Sequence, residues 1–271
     1  MALNRVPIGM LIFIALVFLV LVAIQLRWGP SAEDRAATDQ AGPRLSRIQI
    51  SRDGRLEDVE TEPAEPGPAA DELVQTRIGL LSSGTANERR AAAIELAYMT
   101  NDATERGKLL ALSPNVRARL RQALLAALAD PDAAVARSGS EALIGWWRLS
   151  DSPTVTQYFQ EGLAACDSGQ WDVALRTFGN IEALNGAAPP DLYRMKAEAY
   201  LAQGLPDRAV VECQRALKAE PKHFMAFCVE AQALAQTGQT LKALEALDEA
   251  LAIYGSFPEA QRLRAELYQA A

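Results

Sequence analysis

The chain has 271 residues, a formal net charge of −7, 49% hydrophobic but only 6% aromatic residues, one histidine and three cysteines. This acidic balance excludes a general nucleic-acid binder, which would start from a basic surface. A lone histidine excludes sites built on two, and three cysteines cannot staple a multi-disulfide scaffold.

Residues Ile8–Leu26 read IGMLIFIALVFLVLVAIQL, with no charge. At about 1.5 Å per residue the run reaches roughly 28 Å, the hydrocarbon thickness of a bilayer. Arg5 before it and Arg27-Trp28 after it suit interfacial anchors. Residues 1–28 are therefore read as an N-terminal transmembrane anchor, with the lipid bilayer as partner through Ile8–Leu26. A cleaved signal peptide fits less well. The run is long, and the nearest small-x-small site, Gly29-Pro30-Ser31, holds a proline. Arg5 and the α-amino group on one side stand against Arg27, Arg35 and Arg44 on the other, a near balance that slightly disfavours export of the C-terminal part. The short leading tail resembles a bacterial signal-anchor. The expectation is a single-pass protein of a bacterial inner membrane with its C-terminal repeats in the periplasm.

Residues 29–70 turn to proline, glycine, alanine and charge, including TEPAEPGPAADE at 61–72. Such a stretch resists compaction and reads as a tether. Within it, residues 45–60 can close a small hairpin: Ile48-Gln49-Ile50 and Leu56–Val59 flank the Asp53-Gly54 turn. A lone hairpin of two strands is marginal in water and would need a surface to dock on.

Helical periodicity starts near Asp71 and runs to the end. In residues 71–152, Leu124–Leu128, then Asp130-Pro131-Asp132, then Val135–Gly145 read as helix, turn and helix, with Asp130 or Asp132 able to cap the second helix. This resembles a HEAT repeat. Leu80–Leu96 follows the same pattern more loosely, and Leu96 and Leu143 stand 47 residues apart. Two such units are too few to bury their own faces. They are expected to pack on the following array through Trp146-Trp147. Arg117 and Arg121 share a helical face here, which reads as solvated.

Residues 153–271 repeat an element that opens with glycine and closes with alanine: GQWDVA at 169–174, GLPDRA at 204–209 and GQTLKA at 238–243. The alanines Ala174, Ala209 and Ala243 are separated by 35 and 34 residues. Twelve residues before them stand the small residues Gly162, Ala197 and Ala231; four after them, Phe178, Cys213 and Leu247. This array resembles the tetratricopeptide repeat family, a helix–turn–helix unit of 34 residues. The units are 155–189, 190–223 and 224–257, with a polar capping helix at 258–271. The fold expected is thus all-α: a right-handed helical-repeat solenoid in which a HEAT-like pair precedes three tetratricopeptide units and a cap, tethered to one N-terminal transmembrane helix.

No catalytic, metal-binding or cofactor-binding motif stands out, so the chain is read as a non-enzyme that needs no cofactor. His223 reads as a solvated loop residue, and Cys166, Cys213 and Cys228 as packing groups. Cys213 and Cys228, on adjoining helices, could pair in an oxidising compartment. The family resemblance implies a concave groove lined by the first helix of each repeat. Mapped here, the groove set is Phe159, Leu163 and Asp167; Arg194, Glu198 and Leu201; and Cys228, Gln232 and Gln236. The lysine and asparagine set with which some members clamp a carboxylate is absent. The groove is expected to take a peptide or helix of a protein partner, with Phe159 and Leu163 as apolar anchors. The functional expectation is a membrane-anchored scaffold or adaptor for envelope assembly or maturation, its partners including membrane-complex subunits and excluding nucleic acid. Two alternatives stand beside it. One is an accessory subunit of cytochrome c maturation that presents apocytochrome, since proteins of that pathway are similar in joining an anchor to such repeats. The other is a structural spacer or oligomerisation bracket without a client.

Overall fold

The computed structural model describes residues 49–50, 56–57, 68–102, 104–184 and 188–270. The Ile8–Leu26 anchor and nearly all of the tether lie outside the described residues. Among those described, no helix is long and apolar enough to cross a membrane. Two short strands, β1 (Gln49–Ile50) and β2 (Leu56–Glu57), pair antiparallel with Ile50 opposite Leu56 and Gln49 opposite Glu57. They belong to a unit of their own, separate from residues 63–271.

The larger unit is helical. Its first part contains α1 (Pro68–Ser83), α2 (Ala86–Asn101), the short α3 (Arg106–Leu110), α4 (Pro114–Ala127) and α5 (Ala133–Trp147). Two hairpins, α1–α2 and α4–α5, stack with α1 on α4 and α2 on α5. Aliphatic side chains drive the stacking: Val74, Leu96, Leu120, Leu124 and Leu143 are fully buried. Side chains hold the helix starts. Thr85 and Glu88 form a reciprocal capping box at α2, and Asp132 accepts the Ala134 amide at 2.9 Å at α5. The turn before α5 is also pinned from the neighbouring hairpin, because Arg89 grips Asp130 through two nitrogens at 2.7 and 3.1 Å.

The second part is three hairpins and a closing helix: α6 (Pro153–Asp167) with α7 (Trp171–Ala183), α8 (Pro190–Ala202) with α9 (Pro206–Ala219), α10 (Phe224–Gln236) with α11 (Thr240–Ile253), and α12 (Pro258–Ala270). The three internal turns are the same turn. Gly169, Gly204 and Gly238 have φ of 69°, 71° and 76°, and each is followed by an amide that reaches back five residues, to Ala165, Tyr200 and Leu234. A side chain is disfavoured in that left-handed conformation, so glycine recurs. The small residues mark where paired helices touch. A Cβ on Gly162 would lie 2.2 Å from Phe178, while Ala197 and Ala231 are fully buried.

The core distribution is uneven. The first repeat packs around Phe159, Phe178 and Leu192, and the second around Ala209 and Cys213. The third repeat and α12 instead share one core with α1–α5. The chain bridges this gap at Trp147, which is buried, stacks on His223 at 4.0 Å between ring centroids and meets Phe224 at 5.6 Å. Trp146, expected beside it at the junction, is only half-buried at the edge of the same core. Phe224 in turn packs edge-on against Tyr254 and Phe257. These aromatic contacts place α5 against the start of α10 although about 75 residues separate them, the separation being read from the helix bounds.

Candidate functional site

The junction carries buried charge as well as aromatic rings. Asp191, in the first turn of α8, is fully buried and accepts from Arg194 through both oxygens and from Arg148 Nε at 2.6 Å. Glu220, ahead of α10, accepts from Arg121 Nε at 2.8 Å, from Trp147 Nε1 at 3.2 Å and from the Lys222 amide at 3.0 Å. Burial by itself would raise the Asp191 carboxyl, yet Arg194, His223 and Arg148 together hold it well below its usual value. Burial acts likewise on Glu220 and is outweighed by Arg121, the Lys222 amide and Trp147. Arg121 is therefore a tie between the two parts of the molecule, not a member of a solvated face.

His223 also departs from the sequence reading. Its ring is fully buried. Nε2 lies 3.2 Å from Asp191 Oδ1 without the alignment of a hydrogen bond, and Nδ1 has no partner among the described residues. The sequence places it after a Glu-Pro-Lys turn, where exposure is the usual outcome. Trp147 reverses that outcome by covering the ring from another helix. Burial lowers the imidazole pKa, with Arg194 acting in the same direction and Asp191 and Glu220 opposing.

The groove residues expected from sequence divide into three groups. Phe159 is 3% exposed, packs 5.8 Å from Phe178 and serves the inter-helix core; Leu163 is half-buried on the same cluster. Arg194 is 2% exposed and committed to Asp191 and Glu198, and Leu201 packs against the second repeat's core. Asp167 and Gln236 are exposed. Glu198, Cys228 and Gln232 are brought together on one cavity of about 350 Å³. Phe224, Met225, Tyr254 and Phe257 supply its apolar surface, and Glu259 stands at its edge on α12.

One wall of this cavity was missed from sequence. Arg137, Ser140 and Ile144 of α5 close it from the first part of the chain. The only signal was the pair Trp146-Trp147 at the end of that helix, which anticipates a junction but not which repeat it meets. Burial, then Glu259 and Glu198, push the Cys228 thiol up to about 11, with Arg262 opposing. At Cys166, burial followed by Glu198 and Asp167 also raises the thiol to about 11. Thiols at such values are inert near neutral pH. All three cysteines are free, Cys213 and Cys228 included. Among the described residues no group of three or more His, Cys, Asp or Glu side chains is placed to hold a metal ion. What the site offers is a half-open, mixed surface in which an apolar floor meets the charged side chains Arg137, Glu198 and Glu259. That is binding chemistry.

Comparison with known proteins follows the geometry. Residues 159–224 and 194–260 match the family model described as tetratricopeptide repeat. The C-terminal part of the chain therefore carries tetratricopeptide repeats, in an all-α helical-repeat fold. Among solved structures, the chain is similar to the Arabidopsis OM64 TPR domain at 21% identity, over 43% of this chain and 96% of that one, with a TM-score of 0.41. It is also similar to the Sgt2 TPR domain of Aspergillus fumigatus at 20% identity, over 44% and 80%, TM-score 0.42. The yeast Sti1 TPR2AB domain in complex with an HSP90 peptide aligns at 17% identity, over 74% and 81%, TM-score 0.40. No curated protein matches the sequence.

Proposed function

We propose that the protein is a non-enzymatic adaptor that holds a segment of a protein partner in the cavity between α5 and α10. One observation carries this reading: Glu198, Cys228 and Gln232, drawn from the first helices of two successive repeats, converge on a single cavity with an apolar floor. The adaptor is tethered to a bilayer through Ile8–Leu26, an uncharged run of membrane length, with its repeats on the periplasmic side of a bacterial inner membrane. There it serves assembly or maturation of envelope complexes. The α1–α5 part is HEAT-like in this reading, since like helices face like across its stack, and it completes the groove.

Phe159 and Arg194 are unsuitable probes of binding because both are buried, so their loss would test folding. Gln232 is exposed on the cavity and Val211, 57% exposed, lies outside it. A photo-crosslinking amino acid at Gln232 is expected to give a discrete partner adduct in cells, and the same group at Val211 none. Met225→Glu should abolish the adduct. Identical adducts at the two positions, or none at Gln232, would remove the groove assignment and leave the spacer reading. Protease accessibility in spheroplasts tests the topology: cleavage of the repeats only after lysis of the inner membrane would reverse it.

A further inference from the structure

Beyond the cavity, α2 and α5 leave a second groove of about 540 Å³. Ile94, Ala97 and Tyr98 on α2 face Ser138, Glu141 and Ile144 on α5 across it. Ile94 and Tyr98 are 54% and 60% exposed, and their spacing of four puts both on one face of α2. Single exposed apolar residues are ordinary, whereas Ile94 and Tyr98 adjoin one another on a concave surface. Ile144 lines both grooves and so stands between them.

Acids outnumber bases among the side chains that line this path. Glu141 lines the second groove without a lining base; in the first, Glu198 is paired with Arg194, and Glu259 stands against Arg137. At the far end Asp102, and after it Glu105, push the ionisation of the Tyr98 hydroxyl up, with Lys108 opposing. We infer that the two grooves form one track and that its occupant is a basic amphipathic segment of the partner, whose apolar side chains seat on Ile94 and Tyr98 while its lysines or arginines face Glu141 and Glu259. The inference rests on the α5–α10 cavity being the anchoring site. It adds the α2–α5 groove and the sign of the ligand's charge. Opposite charge along such a rim favours encounter and fixes orientation, and its contribution declines with salt.

The test uses the full chain in nanodiscs of neutral phosphatidylcholine and two fluorescein-labelled 14-residue peptides, one of leucine and lysine and one of leucine and glutamate in the same pattern. The Leu–Lys peptide is expected to bind, more weakly as salt rises, and the Leu–Glu peptide not to bind. Ile94→Ser with Tyr98→Ser should weaken Leu–Lys binding about tenfold, the effect of losing apolar contacts at an interface, with an unchanged circular dichroism spectrum. Loss in Met225→Glu but not in the double variant would overturn the second groove while leaving the cavity in place. No loss in either variant would overturn both. Equal binding of the two peptides would overturn the charge assignment. A photo-crosslinker at Tyr98 should label the Leu–Lys peptide. Adducts to a second copy, or to residues 29–67 of the same chain, would assign the groove to those occupants and overturn the inference.

Discussion

The two helical parts of this protein solve one problem in different ways. Each must turn a chain between antiparallel helices and satisfy the amides at the start of the second helix. In the first part side chains do this, through the Thr85–Glu88 capping box and Asp132. In the second, α7, α9 and α11 have no side-chain cap, and the turn is closed by a glycine at positive φ with backbone hydrogen bonds. Side-chain capping can be met by threonine, serine, aspartate or asparagine in loops of different lengths. A left-handed backbone is met cheaply only by glycine at a fixed place. The second solution therefore leaves a countable period in the sequence, and the first does not.

The largest expected effect comes from cutting the tie between the parts. Trp147→Ala should cost about 3–5 kcal/mol, typical of deleting a large buried aromatic side chain. It should split urea unfolding, followed by circular dichroism and tryptophan fluorescence, into two transitions. A single transition at an unchanged midpoint would show that the two parts do not depend on this contact. Asp191→Asn should cost about 3 kcal/mol because it leaves buried Arg194 with only the partly exposed Glu198 as its counter-charge. An Asp191→Asn, Arg194→Met pair recovering part of that loss would confirm the origin.

The capping comparison is sharpened by two smaller substitutions. Gly204→Ala places a side chain at φ +71°, where no neighbouring atom would clash, so only the backbone conformation opposes it. That conformation costs an L-residue about 1–2 kcal/mol. Thr85→Ala should cost about 1 kcal/mol through loss of the cap. Chemical denaturation of the two variants ranks the solutions directly, and a larger loss for Thr85→Ala would invert the contrast.

The gentlest effect is in pH. His223 is the only histidine, and its folded pKa is depressed by burial. The unfolded chain therefore takes up this proton first as pH falls below about 6.5. Stability is fully present above that value and declines from there toward the folded pKa. The slope is at most about 1.4 kcal/mol per pH unit for one proton. Urea midpoints at pH 7.5 and 5.5 should differ in the native chain and converge in His223→Asn. An unchanged difference in the variant would assign the slope to other groups.

The repeats were legible from residues alone because their geometry is demanding at fixed intervals. Gly169, Gly204 and Gly238 had to be glycine, and Gly162, Ala197 and Ala231 had to be small. Part of the candidate site followed, since Glu198, Cys228 and Gln232 sit where first helices line a concave face. The remainder depended on contacts that no local pattern encodes. Phe159 and Arg194 carry the same spacing as groove residues, but neighbouring helices bury them. His223 resembles an exposed loop residue until Trp147 covers it. The cavity's far wall, α5, meets α10 across a long stretch of chain, and its position follows from the buried ion pairs and stacked rings of the junction. Composition and period thus determined that the second part of the protein is an array of tetratricopeptide repeats. Tertiary structure decided which of its faces stays open, because burial is a property of the surface that arrives from elsewhere in the chain and not of the residue being covered.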